Sequence, residues 1–252
     1  MTERITARKN PLIQQVRRLL SSRREREEAG LFVADGTKLL AEAVKWWPGL
    51  ETVILSDGVE ANVPVGVRLV RVPEDVMESV SPMRSPQGAL FICRLPEKES
   101  FAPSAGMLLL DGIQDPGNIG TILRTCEAMA VKGVFLCGCA DCFSPKVLRG
   151  TMGCIFRLPI KVFSETAEAL GLLKEAGVST YASALAENAL LLPKVKFSEK
   201  SCVLIGNEGN GLEHEVIEAC DNVVMIPMPG KAESLNAASA AAIMIYSAAM
   251  QR

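Results

Sequence analysis

Between residues 107 and 226, six short, nearly continuous apolar runs alternate with stretches of helical periodicity. The runs lie at 107–110, 134–137, 159–162, 180–183, 203–205 and 223–226. A short run with no polar interruption reads as a strand buried on both faces, the pattern of parallel sheets. Parallel neighbours need crossover connections, and the intervening helical stretches can supply them. This half of the chain therefore predicts a parallel α/β sheet. Ligands in such sheets bind at the carboxyl ends of the strands, so the loops after the runs are where chemistry should be sought.

Residues 95–106 are polar, contain Pro96 and Pro103, and separate this region from a second alternation of strand and helix patterns. The division is 1–95, a linker at 96–105, and 106–252. The first segment opens with Asn10-Pro11, a capping residue followed by proline at the first helical position. Leu12, Ile13, Val16, Leu19 and Leu20 follow at helical spacing, leaving Arg17, Arg18 and Arg24 near the outer face. Strands are expected around 31–34, 52–55, 68–72 and 89–93, with helices at 37–47 and from 74. Together these make a small α/β domain.

The net charge of -2, from 27 basic and 29 acidic residues, excludes a uniformly basic nucleic-acid binder. The distribution is uneven. Residues 1–24 hold seven basic groups against one acid; residues 1–95 carry +2 and the remainder -4. The basic N-terminal face, with Arg8, Lys9, Arg17 and Arg18, predicts contact with phosphates. The eight cysteines need no disulfide role in a chain long enough to build a core. With no secretory signal and no run long enough to span a bilayer, a cytoplasmic protein without a membrane partner is expected.

Three loops follow predicted strands: residues 111–120 leading into Arg124, residues 206–212, and residues 226–236 leading into an Ala-rich helix. Each alone is explained by glycine turns and Asn or Ser caps. Together they place Asn118, Arg124, Glu208, Ser234 and Asn236 at strand ends, which points to a site. The order of glycines in 206–211 is wrong for a dinucleotide loop, and no P-loop motif occurs.

These loops resemble the three motifs of the SpoU (TrmH-like) RNA ribose 2′-O-methyltransferases of the SPOUT superfamily. The match lies in N-x5-R at Asn118 and Arg124, G-x-E-G-x-G-L at 206–212, and I-P-M-x-G-x-x-x-S-L-N at 226–236. It covers residues 105–252. The first segment, through Asn10-Pro11 and the stretch from Phe32 to Gly36, is similar to the ribosomal-protein-like substrate-binding domain that often precedes it. Asp35 stands where that domain usually has Glu. The resemblance implies a deep C-terminal trefoil knot, a homodimer through the C-terminal domain, and S-adenosylmethionine held largely by backbone groups of Gly206, Ile226 and Leu235. It implies methylation of a ribose 2′-hydroxyl in structured RNA, large-subunit (23S) ribosomal RNA in preference to tRNA, with Arg124 central to catalysis. An arginine holds its proton tightly, so stabilisation of developing alkoxide charge fits it better than service as a base. Asn118, Glu208, Ser234 and Asn236 would orient Arg124, the ribose and each other; the plainer reading is that Glu208 merely pairs with Arg124, a pair that orientation would also need. Lys146 and Arg149 match a basic stretch that contacts RNA in relatives, but a solvated helix face explains them equally well.

The other candidates are weaker. Cys137, Cys139, Cys142 and Cys154 do not fit the spacing of a zinc site, so no metal is expected. The single histidine, His214, has no G-x-S-x-G nucleophile elbow to serve. A catalytically silent RNA-binding protein, or a thiol-dependent base methyltransferase using Cys126, are the remaining alternatives.

Overall fold

The computed structural model describes residues 3–96, 101–186 and 188–251. The chain forms two compact units, Met1–Glu97 with Asp141–Arg157, and Lys98–Ala140 with Leu158–Arg252.

The first unit contains β1 (Glu3–Arg4), α1 (Pro11–Ser21), α2 (Arg23–Ala29), β2 (Leu31–Asp35), α3 (Thr37–Trp46), β3 (Leu50–Ser56), β4 (Arg68–Val72), α4 (Glu74–Glu78) and β5 (Ala89–Arg94). Its sheet runs β1-β4-β3-β5-β2, parallel from β1 to β3 and antiparallel on either side of β5. Strand alternation sorts the side chains by face. Val33, Ile54 and Val70 meet Ile13 and Val16 of α1 and Val76 and Met77 of α4. The opposite face carries Phe32 and Phe91, against which Phe156 packs at ring separations of 6.5 and 6.2 Å, with Phe143 at 4.8 Å from Phe32. Those two rings belong to residues 141–157, which the division by sequence assigns to the second domain. This segment, including helix α6 (Pro145–Thr151), completes the aromatic core of the first unit.

The second unit contains β6 (Met107–Asp111), α5 (Pro116–Ala128), β7 (Gly133–Cys137), β8 (Ile160–Phe163), α7 (Thr166–Glu175), β9 (Ser179–Ser183), β10 (Leu190–Leu191), β11 (Ser201–Ile205), α8 (His214–Glu218), β12 (Asn222–Met225) and α9 (Ala237–Ala249). Its seven strands are all parallel, in the order β10-β12-β9-β11-β6-β7-β8. Leu173 of α7 joins Met107, Phe135 and Leu204 in the core on one face of the sheet, with Val216 and Ile217 of α8 against it. Helices α5 and α9 pack on each other, and α9 also meets β11. Part of the expected linker is built into this unit, because the Phe101 ring lies 5.7 Å from that of Phe135. Residues 97–100 of that linker lie outside the described residues. Among the described residues, no helix is long and apolar enough to cross a membrane.

Candidate active site

Because every strand of the second sheet is parallel, the loops after β6, β11 and β12 leave from the same edge. Each is folded by its own polar side chains. Asp115 caps α5 by accepting from the N–H groups of Gly117 and Asn118, and Asn236 caps α9 by accepting from those of Ala238 and Ser239. Asn207 uses all its polar groups. Its Oδ1 accepts from Gly209 N at 2.8 Å, its backbone exchanges two hydrogen bonds with Gly211, and its Nδ2 donates to Gly112 O at 2.7 Å. Gln114 Nε2 donates to the same Gly112 carbonyl (3.1 Å) and to Gly138 O (2.8 Å). Two side-chain amides thus clamp one carbonyl and tie together the loops after β11, β6 and β7, three adjacent strands.

On this frame Glu208 accepts from Asn118 Nδ2 (3.0 Å), Asp115 N (3.0 Å) and Gln114 N (3.2 Å). Asn236 Nδ2 in turn donates to Asn118 Oδ1 at 3.1 Å. Partial burial alone would raise the Glu208 carboxyl, but the Asn118 amide and the backbone N–H donors outweigh it and hold the group below the usual carboxylate range. Asn118, Glu208 and Asn236, one from each loop, are therefore a continuous hydrogen-bonded row.

Arg124 does not join that row. It is exposed on α5, two turns after Asn118, and makes no hydrogen bond or ion pair among the described residues. The expected Glu208–Arg124 pair is not formed, because amides already occupy the Glu208 carboxylate and leave the guanidinium unpaired. Ser234 is likewise exposed without a side-chain partner among the described residues.

Beside the row lies a cavity of about 370 Å³, within the size range of small-molecule sites. Gly206, Ile226 and Leu235 line it, as do Glu208 and Ser234. Leu185, Leu212 and Met228 make the wall largely apolar. A Cβ on Gly206 would overlap the backbone of Gly211 and Leu212, so only glycine lets the chain close here. An apolar slot edged with turn backbone fits an adenosine, whose faces want apolar contact and whose ring nitrogens want amides and carbonyls. Asn207 and Gln114 are the frame residues that sequence reading missed. Both sit inside the motifs, but nothing in a motif distinguishes a buttress from an ordinary turn residue.

The remaining candidates separate by exposure. Cys126 is fully buried, and burial pushes the thiols of Cys137 and Cys139 up to about 12 and 11. Buried, protonated thiols of this kind are poor nucleophiles. His214 begins α8, exposed, with Nδ1 3.4 Å from Glu218. In the first unit, the arginines expected to face RNA have protein partners. Arg8 pairs with Asp75 and Arg18 with Glu25, while Arg17 donates to Ser79 and to the Arg8 carbonyl. Among the described residues Lys9 and Lys146 are exposed and unpaired, and Arg149 is half-buried.

Comparison with known proteins agrees with this geometry. Residues 106–246 match the SpoU rRNA Methylase family and residues 10–90 the MRM3-like substrate binding domain. The chain is 35% identical over 231 residues to the 23S rRNA (guanosine(2553)-2′-O)-methyltransferase RlmP of Bacillus subtilis (strain 168), covering 90% of this chain and 92% of that one. It is 32% identical to the 23S rRNA (uridine(2479)-2′-O)-methyltransferase of Streptomyces viridochromogenes, covering 99% and 92%. Among solved structures, an AdoMet-bound rRNA methyltransferase from Sinorhizobium meliloti superposes with a TM-score of 0.88 at 30% identity, covering 98% of this chain and 97% of that one. A parallel sheet with three motif loops at one edge, a glycine-closed apolar cavity beside them and these matches lead to one conclusion: the chain belongs to the SpoU family of S-adenosylmethionine-dependent RNA ribose 2′-O-methyltransferases.

Proposed function

We propose that this protein methylates one ribose 2′-hydroxyl of 23S ribosomal RNA in the cytoplasm, with Arg124 at the reacting oxygen. The observation that carries the reading is the Asn118–Glu208–Asn236 row beside the cavity lined by Gly206, Ile226 and Leu235. Bound S-adenosylmethionine supplies an electrophilic methyl group. The chain's own residues do the rest. Gly206, Ile226 and Leu235 offer backbone N–H and C=O groups to the cofactor. Glu208, kept ionised, fixes Asn118, and Asn118 fixes Asn236, so two amides are held in one orientation. Arg124, without an internal partner among the described residues, offers its fork of N–H donors to a phosphate and to negative charge growing on the 2′-oxygen. Ser234, at the cavity wall, is placed to contact the ribose.

A homodimer accords with α9, where Ile243, Tyr246 and the Met250 that follows the helix leave an apolar stripe exposed, Tyr246 by 58%. Tyr246→Glu should yield monomers by light scattering. The knot belongs to the same reading, as the family fold implies for the second unit.

Mapping 2′-O-methyl groups across total RNA, with and without the gene, tests the assignment. Loss of one 23S site supports it, a lost tRNA site moves the substrate, and loss of none rejects the activity.

A further inference from the structure

Seventeen arginines and lysines belong to residues 3–96 and 141–157, and most of them are engaged within the protein. Arg4, Arg8, Arg18, Arg23, Arg24, Arg26, Arg68, Arg71, Arg94 and Arg157 form ion pairs, and Arg17 is bound to Ser79. Lys45 lies over the Trp46 ring. Five form no ion pair or side-chain hydrogen bond among the described residues: Lys9, Lys38, Arg84, Lys146 and Arg149, the last of which acts on Asp35 through its charge. Four of these five belong to segments that meet at the turn between β2 and α3.

The meeting is fixed by specific bonds. Ser81 Oγ donates to Asp35 Oδ2 at 2.5 Å, and Gln87 Oε1 accepts from Thr37 N at 3.2 Å, pinning both ends of the loop that holds Arg84 against the turn. Lys38 follows Thr37 directly. Helix α6 packs on β2, with Arg149 close enough to Asp35 for its charge to be felt and Lys146 one turn earlier. Lys38, Arg84 and Lys146 are exposed. Arg149 Nη1 is buried and has no hydrogen-bond partner among the described residues, an arrangement that calls for an explanation. The one acid at the centre, Asp35, is itself buried and engaged by Ser81; burial pushes its carboxyl up, while the Ser81 hydroxyl and the Arg149 charge pull it down.

We propose that the surface formed by Lys38, Arg84, Lys146 and Arg149 around the Asp35–Thr37 turn, and not the α1 face, is where the first unit holds the RNA phosphate backbone. Unpaired cations release counterions when they meet phosphates, whereas paired ones must first give up a carboxylate. The inference rests on the reading of RNA as substrate and goes beyond it by naming the contact surface.

Two charge-matched variants of the full-length protein test it, Lys38→Gln/Arg84→Gln and Arg23→Gln/Arg24→Gln. Each removes two positive charges, the first from the unpaired surface and the second from exposed ion pairs. Affinity for an in vitro transcript of the organism's own 23S rRNA is measured across a series of KCl concentrations. The first variant should bind at least about tenfold more weakly at low salt and lower the salt slope by about 2, roughly one for each phosphate no longer neutralised. The second should stay within about threefold of the parent, while both keep S-adenosylmethionine affinity, which shows that they are folded. Equal loss in both variants, no loss in the first, or parent binding without salt dependence would each overturn the surface. Methylation of the transcript is followed in the same preparations. RNA binding that depends on Lys38 and Arg84 without methyl transfer would reject the activity and leave the surface standing.

Discussion

The two helices at the start of the first unit and the loop cluster of the second place arginines in opposite circumstances. In α1 and α2 and the turn before them, Arg8, Arg18, Arg23, Arg24 and Arg26 each meet a carboxylate of the same chain. In the loop cluster an acid and an arginine are both present, yet amides take up the whole of Glu208 and Arg124 is left alone among the described residues. A basic segment is thus electrostatically quiet, and a single arginine on an acidic body is not. The same side chain does structural work when it is paired and buried and very little when it is paired in water, and one left unpaired beside the motif loops is the one proposed for chemistry. Substitutions of each kind can break this comparison.

The largest effect is expected at Arg26, 5% exposed and bonded to Asp141 and to the Leu19 carbonyl. Arg26→Met leaves Asp141 as a mostly buried, uncompensated charge, which costs about 3–5 kcal/mol. Urea unfolding followed by tryptophan fluorescence reads the loss in the first unit alone, because Trp46 and Trp47 are the only tryptophans. Asp141→Leu added to Arg26→Met should recover much of the loss; failure to do so would mean the arginine acts through packing and not through charge.

Arg124→Ala should lower kcat about 100- to 1,000-fold, the scale of removing one stabiliser of a developing oxyanion. No internal bond is broken, so urea unfolding and S-adenosylmethionine affinity should not change. A folded variant with near-parental kcat would place Arg124 with the quiet arginines.

How much of this contrast could be read in advance depends on where each partner lies. The six parallel strands were legible because a doubly buried strand leaves an uninterrupted apolar signature, as at 134–137. The motif loops were legible because glycine and asparagine at fixed spacing have few other uses. Helix α2 was not: the stretch from Arg23 to Ala29 has no apolar period and is held by the Ser22 cap, the left-handed Gly30 and i,i+4 pairs. Strand β1 is two exposed residues, formed only because β4 offers an edge. The partners of Arg4 and Arg8 lie 53 and 67 positions away, and that of Arg26 lies 115 away, beyond the reach of local pattern. The site showed the same limit. Candidate residues could be named, but not the hydrogen-bonded row that joins three of them and omits Arg124.

Loosening the frame under the row should have an intermediate effect. Gln114→Met keeps the length of the side chain and removes its bonds to Gly112 and Gly138. A displaced Glu208 should lower kcat about 10- to 100-fold, since small misplacements at a reacting centre are costly. Gln114 does not line the cavity, so cofactor affinity should hold; parallel losses in both would mean that the clamp shapes the cavity instead.

A smaller effect is expected from pH. The Glu208 carboxyl is held below its ordinary value, so the stability it lends the row is present above the unfolded carboxylate range, near pH 4.3. It is lost only as pH falls through the lowered folded value. Glu208 should therefore cause no decline in kcat between neutral pH and about pH 5. A carboxylate step in that interval that disappears in Glu208→Gln would show that the amides do not keep it ionised.

The smallest effect is expected where charge is densest. Arg23 and Arg24 pair with Glu27 and Glu28 at 2.7 and 2.6 Å, i,i+4 on an exposed helix. Each pair is worth about 0.3–0.5 kcal/mol, because water screens the attraction and ordering two long side chains costs entropy. Arg23→Gln/Arg24→Gln should thus lower first-unit stability by no more than about 1 kcal/mol and leave kcat unchanged. Raising the salt concentration should shrink even that difference, since screening weakens exposed pairs first. If the double variant were as disabling as Arg26→Met, exposure would not be what separates the quiet arginines from the structural one. The arginines of α1 and α2 would then have to act as one network, in which removing any member disturbs the rest.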